Sequence, residues 1–187
     1  REFVRQQNQE IPVGMDRWGR DVYYRRHVSP PLSLLLSLFM HGSWLHLLGN
    51  MLFLWIFGNN IEDRLGRAKF IFFYLFCGIG ASLAHVLFNV NSLVPVIGAS
   101  GAVSGVMGAY LALFPSARVR TLVFIFILVT TMDIPAGVFL VIWFVFQFLS
   151  AGGGSGIAWL AHVGGFVLGF ILIRLLEEKK PFVEIVP

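Results

Sequence analysis

The sequence predicts an all-α polytopic membrane protein, a helical bundle with five visible spans. Three observations predict it. The 187-residue chain is 57% hydrophobic and only 13% charged, with a mean hydropathy of +0.77, whereas soluble proteins carry about 25% charged residues. Between Phe70 and Ile173 the only charges are Arg118, Arg120 and Asp133, too few to cover a soluble domain. The apolar runs also recur at lengths near the roughly 20 residues of a spanning helix. These features exclude intrinsic disorder, and the single cysteine, Cys77, excludes a disulfide scaffold. The net charge of +4 comes from basic residues in loops and tails. They read as topology signals rather than a nucleic-acid patch, so the expected partner surface is a lipid bilayer and no nucleic acid.

The elements follow in order. Residues 1–31 hold six of the fourteen Lys/Arg and three of the eight prolines, and read as polar and irregular. Residues 32–57 are uncharged but contain His41, His46 and Asn50. A loop at 58–69 carries Arg64, Arg67 and Lys69. Residues 70–88 are a clean apolar span, and 89–98 an uncharged loop. Residues 100–114 have a helical pattern but would reach only about 22 Å against roughly 30 Å of hydrocarbon. After a basic loop at 115–120, residues 121–149 are too long for one span and are broken at Asp133-Ile134-Pro135. A short interfacial or irregular stretch is expected there, followed by a span at 136–149. A Gly/Ser loop at 150–156 leads to the last span, 158–175. The domain division is therefore an extramembrane arm at 1–43, a transmembrane domain at 44–176 and a tail at 177–187.

The segments 58–69, 115–120 and 174–180 hold three, two and three basic residues, whereas 89–98 and 150–156 hold none. The positive-inside rule then puts the basic loops and the C-terminus in the cytoplasm. The arm falls outside despite its six basic residues, a conflict that a preceding span would resolve. The expected setting is multi-pass insertion in a prokaryotic plasma membrane.

Chemistry gathers at the short run. A helix that cannot cross must begin partway down. Its first-turn N–H groups then face hydrocarbon unless protein or a water-filled cavity covers them. That start reads Gly98-Ala99-Ser100-Gly101. Taken alone, Ser100 reads as a helix cap. The last run changes the weighing, because it contains Ala161-His162-Val163-Gly164-Gly165 and then Gly169. His162, Gly165 and Gly169 repeat at helical spacing, and the short run repeats Gly101 with Gly105 and Ser104 with Gly108. Small residues four apart let two membrane helices approach closely, which would bring Ser100 and His162 within hydrogen-bond reach. A lone membrane histidine is an interhelical bonding group; one beside a serine in a wet notch reads as a general base. His46 and Asn50, four apart, share a helix face. Both can donate to a developing oxyanion, the competing reading being polar glue between helices. His41 reads as support for the outer loop, the alternative being a place near the site. No carboxylate offers itself as a third member, because Asp133 falls near the cytoplasmic end.

The strings His41-Gly42-Ser43-Trp44-Leu45-His46-Leu47-Leu48-Gly49-Asn50, Glu62-Asp63-Arg64-Leu65-Gly66, Gly98-Ala99-Ser100-Gly101, and Ala161-His162-Val163-Gly164-Gly165 with Gly169 resemble, in kind and order, the rhomboid family of intramembrane serine proteases. The resemblance covers roughly residues 39–176. It implies a serine endopeptidase in which Ser100 is the nucleophile and His162 the general base of a two-residue pair. His46, Asn50 and the Ser100 backbone N–H would form the oxyanion hole. Gly98 and Ala99 would shape the loop before the nucleophile, with Gly101, Gly165 and Gly169 supporting the close packing. The implied fold is a six-helix bundle with a short central serine helix and a first helix ahead of Arg1. The site would open to the extracytoplasmic side, with the span at 136–149 gating entry. Substrates would be membrane proteins cut in or near a transmembrane segment, without metal or cofactor. This chain departs from the family at Ser104, where an aromatic residue often stacks on the histidine, so His162 must be oriented in another way.

The main alternative is a catalytically inactive rhomboid-like protein that binds transmembrane segments. Such relatives usually lack the serine or the histidine, and both are present here. A transporter using His41, His46, His85 and Asp133 would need ionisable residues along one continuous face, and His85 reads instead as an interhelical bonding group. A metalloprotease is disfavoured because no HExxH is present.

Overall fold

Backbone polar groups need partners wherever water is excluded, and an α-helix supplies them within one segment. The apolar runs accordingly fold as helices in the computed structural model, which describes residues 10–25, 30–89, 96–125, 128–150 and 158–177. In chain order these residues form a hairpin of β1 (Glu10–Met15) and β2 (Asp21–Arg25), then helices α1 (Pro30–Ser37), α2 (Trp44–Leu65), α3 (Arg67–Phe88) and α4 (Ser100–Leu113). A second hairpin of β3 (Arg118–Ile125) and β4 (Leu128–Pro135) precedes helices α5 (Ala136–Ser150) and α6 (Trp159–Leu176). The expected loops at 89–98 and 150–156 and the tail at 177–187 lie largely outside the described residues.

The structure corrects the sequence reading in three places. The uncharged stretch 32–57 is divided between α1 and α2. Ser43, extended at φ −160° and ψ 162°, caps α2 by accepting from the His46 N–H. The loop expected at 58–69 is helix on both sides of Gly66, because polar Glu62-Asp63-Arg64 continues α2 beyond its apolar part. The break comes only at Gly66, whose φ of +78° glycine adopts without strain. Finally, the segments 1–31 and 121–135, expected to be irregular, each contain an antiparallel hairpin. Residues 118–135 are rich in Val, Thr and Ile, which suit strands, and Arg120 opposite Asp133 forms a 3.2 Å ion pair across the ladder. Between β1 and β2, the Asp16 carboxylate accepts from the amides of Trp18 and Arg20 and from the Arg20 guanidinium. The Arg20 amide, foremost among these donors, holds the Asp16 carboxyl below its usual range.

Helices α3 (Arg67–Phe88) and α6 (Trp159–Leu176) are long and apolar enough to cross a membrane, while Ser100–Leu113 and Ala136–Leu149 are apolar but shorter. Their outward faces are strongly apolar: Ile71, Phe72 and Phe76 on α3, Val138, Val141 and Ile142 on α5, and Val167 and Ile171 on α6 are exposed. The interior is where the small residues lie. α4 is central, with every residue from 101 to 110 buried. A Cβ on Gly165 would overlap the Gly101 carbonyl, one on Gly169 the Gly105 carbonyl, and one on Gly108 the Phe166 carbonyl. The α4 and α6 backbones are therefore in contact along three turns. On another side of α4, a Cβ on Gly101 would lie 2.6 Å from Ala81 Cβ of α3. Toward the far end, Asn60 donates to the Tyr110 hydroxyl at 3.1 Å and Arg64 pairs with Glu177 at 3.5 Å. These contacts fix α2, α4 and α6 relative to one another.

The seam predicts opposite outcomes for two glycines. Replacing Gly165 by Val sets a side chain against backbone that cannot give way. Gly165→Val is expected to cost about 3 kcal/mol or more, since ordinary overpacking costs about 1–3 kcal/mol. A Cβ at Gly49 of α2 meets nothing within 4 Å, and Gly49→Ala is expected to be neutral or stabilising by about 0.5–1 kcal/mol. Thermal unfolding of both variants in detergent tests this, and a Gly165→Val chain as stable as the parent would refute the seam.

Candidate active site

Four structural elements bring their side chains to one cavity of about 560 Å³. The Ser43 cap sets His46 in the first turn of α2, and Asn50 follows one turn later on the same face. The chain approaches α4 through Gly98, whose N–H donates to the Ser37 carbonyl at 2.9 Å. Gly98 sits at φ +115°, and a Cβ there would stand 2.7 Å from the His46 ring. Only glycine fits both demands. Ala99 occupies the position before α4, and Ser100 opens the helix. Ser100, the first residue of α4, lines the cavity, and at a helix N-terminus the positive end of the dipole favours negative charge.

The contact of α4 with α6 brings Ser100 Oγ to 2.7 Å from His162 Nε2. The other ring nitrogen of His162, Nδ1, lies 2.8 Å from Gln147 Oε1 of α5. Trp143, one turn before Gln147, places its ring 6.0 Å from that of His162. Around this array, Asn50 Nδ2 donates to the His46 carbonyl at 3.0 Å, which leaves one of its two amide hydrogens. His41 packs edge-on to His46 at 5.2 Å, and its Nε2 lies 3.5 Å from the Ala99 N–H. His46, Asn50, Ser100, Ser104, Trp143 and His162 all line the cavity. A hydroxyl hydrogen-bonded to an imidazole, at the N-terminus of a helix, is an arrangement suited to acyl transfer.

A family model described as the Rhomboid domain matches residues 29–179 of this chain. The chain belongs to the rhomboid family. It is similar to Rhomboid protein 1, mitochondrial, of Saccharomyces cerevisiae, at 32% identity over 169 residues, covering 82% of this chain and 45% of that protein. It is similar to RHOMBOID-like protein 6, mitochondrial, of Arabidopsis thaliana, at 33% identity, covering 81% of this chain and 46% of that protein. A third relative is the Presenilin-associated rhomboid-like protein, mitochondrial, of Mus musculus, at 29% identity, covering 81% and 41%. The rhomboid chain thus spans less than half the length of these relatives. Their mitochondrial names do not fit the prokaryotic plasma membrane expected from the sequence.

The rhomboid bundle brings together every site residue read from the sequence. Ser100, His162, His46 and Asn50 face one cavity, Gly98 and Ala99 form its entry loop, and Gly101, Gly165 and Gly169 form the seam beneath it. His41 lies closer than a loop-supporting role required, since it touches both His46 and the Ala99 N–H. Ser104 turns inward and donates to the Ser100 carbonyl at 2.6 Å. Outside the site one expectation changes. His85, expected to bond between helices, has a buried Nδ1 with no hydrogen-bond partner among the described residues. Asp133 is paired with Arg120 across the hairpin, so it forms no relay with the histidines. Among the described residues no three His, Cys, Asp or Glu side chains come together as a metal site. Sequence reasoning missed Gln147 and Trp143. The available signal was Gln147 itself, the one amide in the otherwise apolar segment 136–149.

Gly98→Ala is expected to cost about 1–2 kcal/mol for the left-handed backbone and to push the His46 ring out of the cavity. A melting curve checks the first effect. The rate at which a fluorophosphonate probe labels Ser100 checks the second, and is expected to fall at least about tenfold, as when one oxyanion donor is lost.

Proposed function

We propose that this rhomboid chain is an intramembrane serine endopeptidase that cuts membrane-protein substrates in or near their transmembrane segments. The observation that carries the reading is the 2.7 Å contact of Ser100 Oγ with His162 Nε2 at the cavity-facing N-terminus of a 14-residue helix. Ser100 Oγ attacks the scissile carbonyl as His162 Nε2 takes its proton. The carbonyl oxygen becomes an oxyanion held by the Ser100 backbone N–H, His46 and the free amide hydrogen of Asn50. His162 then returns the proton to the leaving amine, which departs and leaves an acyl group on Ser100. Water, deprotonated by His162, attacks that ester; His162 returns the proton to Ser100 Oγ as the C–O bond breaks, which releases the second product and restores the pair.

The membrane setting is supported by the outward-facing apolar residues and the two helices long enough to span. In this reading the 21 Å of α4, at about 1.5 Å per residue, begins inside the bilayer depth, and the cavity carries water down to Ser100. The site lies at the end of α4 away from Arg64, Arg118 and Arg174, so the basic loops and the cavity take opposite sides of the membrane. Transmembrane segments are the expected substrates because only a lipid-borne chain reaches a cavity at this depth.

Fluorophosphonate labelling of the detergent-purified chain, beside reporter cleavage, tests the proposal. Wild-type protein is expected to label and cleave. Ser100→Ala and His162→Ala are expected to do neither while melting within about 2–4 °C of the parent, since a change under about 1 kcal/mol moves a chain of this size no further. Cleavage that persists in Ser100→Ala would overturn the assignment.

A further inference from the structure

An amide buried in an apolar helix is costly unless both its ends are bonded. Gln147 is buried in α5, and both ends are matched. Its Nε2 donates to the Trp143 carbonyl at 3.1 Å. That backbone acceptor fixes which way the amide faces, and so leaves Oε1 toward His162 Nδ1 at 2.8 Å. An amide oxygen can only accept. The hydrogen in this contact must therefore sit on Nδ1, and a neutral imidazole with Nδ1–H carries its lone pair on Nε2. Nε2 is the atom 2.7 Å from Ser100 Oγ.

We infer that Gln147 is a positioning residue for the Ser100–His162 pair. By accepting from Nδ1–H it holds His162 in the one tautomer whose Nε2 can receive the serine proton. The inference rests on the proposed serine-protease reading and adds to it a third, uncharged member from a different helix. Trp143, one turn earlier on the same face, fixes the ring from its side. Together they do from α5 the orienting work that Ser104 cannot do from α4, because Ser104 is turned to the Ser100 carbonyl. A neutral amide avoids the penalty of burying a second charge beside the imidazole. It also gives the imidazolium formed during attack less support than a carboxylate would. Because Gln147 belongs to α5 and His162 to α6, the tautomer is held only where these two helices are docked.

The test uses the full chain in detergent with two substitutions. Gln147→Met keeps the length and removes the acceptor, while Gln147→Glu keeps an acceptor oxygen. Losing the carboxylate that fixes the histidine tautomer lowers kcat about 10⁴-fold in a soluble triad. An uncharged amide should be worth less, so Gln147→Met is expected to lower kcat about 10–10²-fold with KM within about twofold. Gln147→Glu is expected to recover most of that loss at some cost in stability from the buried carboxyl, while the parent and Gln147→Met should melt alike. ¹⁵N spectra of histidine-labelled protein, with His162 assigned by its loss in His162→Ala, should show Nδ1–H in the parent and a tautomer mixture in Gln147→Met. A Gln147→Met chain with parental kcat and an unchanged His162 spectrum would overturn the inference while leaving the protease reading intact. If the parent neither labels nor cleaves, the protease reading fails. The spectrum then still decides: a tautomer unchanged in Gln147→Met rejects the role of Gln147, and one that is lost supports it.

Discussion

The backbones of α4 and α6 touch, and the rest of the site depends on that contact. Lipid tails are as apolar as leucine, so a membrane bundle gains little from hiding apolar side chains and much from close van der Waals fit. Gly165 against Gly101, Gly169 against Gly105 and Gly108 against Phe166 remove the side chains that would hold the two helices apart. The resulting separation lets Ser100 and His162, on different helices, share a hydrogen bond. Large apolar side chains such as Phe57, Ile61 and Phe73 still fill the core around this seam, while Phe, Ile and Val also cover the outward faces.

The second constraint is the length of α4. With 14 residues it cannot reach across a bilayer, and its open N–H groups must end somewhere they are served. No side chain caps this end of α4, and its first residue, Ser100, lines the cavity. The entry loop makes this possible, since Gly98 adopts a left-handed backbone against the His46 ring and Ala99 offers no capping side chain. A helix start without a side-chain cap keeps the Ser100 amide free to serve the proposed oxyanion hole. His46 and Asn50 reach the cavity because the Ser43 cap starts α2 three residues before His46.

The hydrogen-bonded chain extends past the two residues that would perform the chemistry. Ser100, His162 and Gln147 form a chain of contacts of 2.7 and 2.8 Å across α4, α6 and α5, anchored at the Trp143 carbonyl. No charge is buried in it. Each member is held by an element that the other members do not belong to, so the geometry of the chain reports on the packing of three helices at once.

By itself the sequence determined the parts that depend on local pattern. Charge depletion marked the bundle, the length of the run at 100–114 marked the short helix, and glycines at fourfold spacing marked the seam that pairs Ser100 with His162. The hairpins were not legible, because the β-prone residues at 118–135 sit inside an apolar stretch whose pairing partner is set by folding rather than by period. The continuation of α2 to Leu65 was hidden for a similar reason: polar residues end an apolar run but do not end a helix. Only the tertiary structure decided what orients His162. Ser104 is four residues from Ser100 and was the local candidate position, yet its hydroxyl serves the backbone of its own helix. The partner is Gln147, 15 residues from His162 in the chain and on another helix. No spacing rule links them, because which face of α5 meets α6 is a matter of packing.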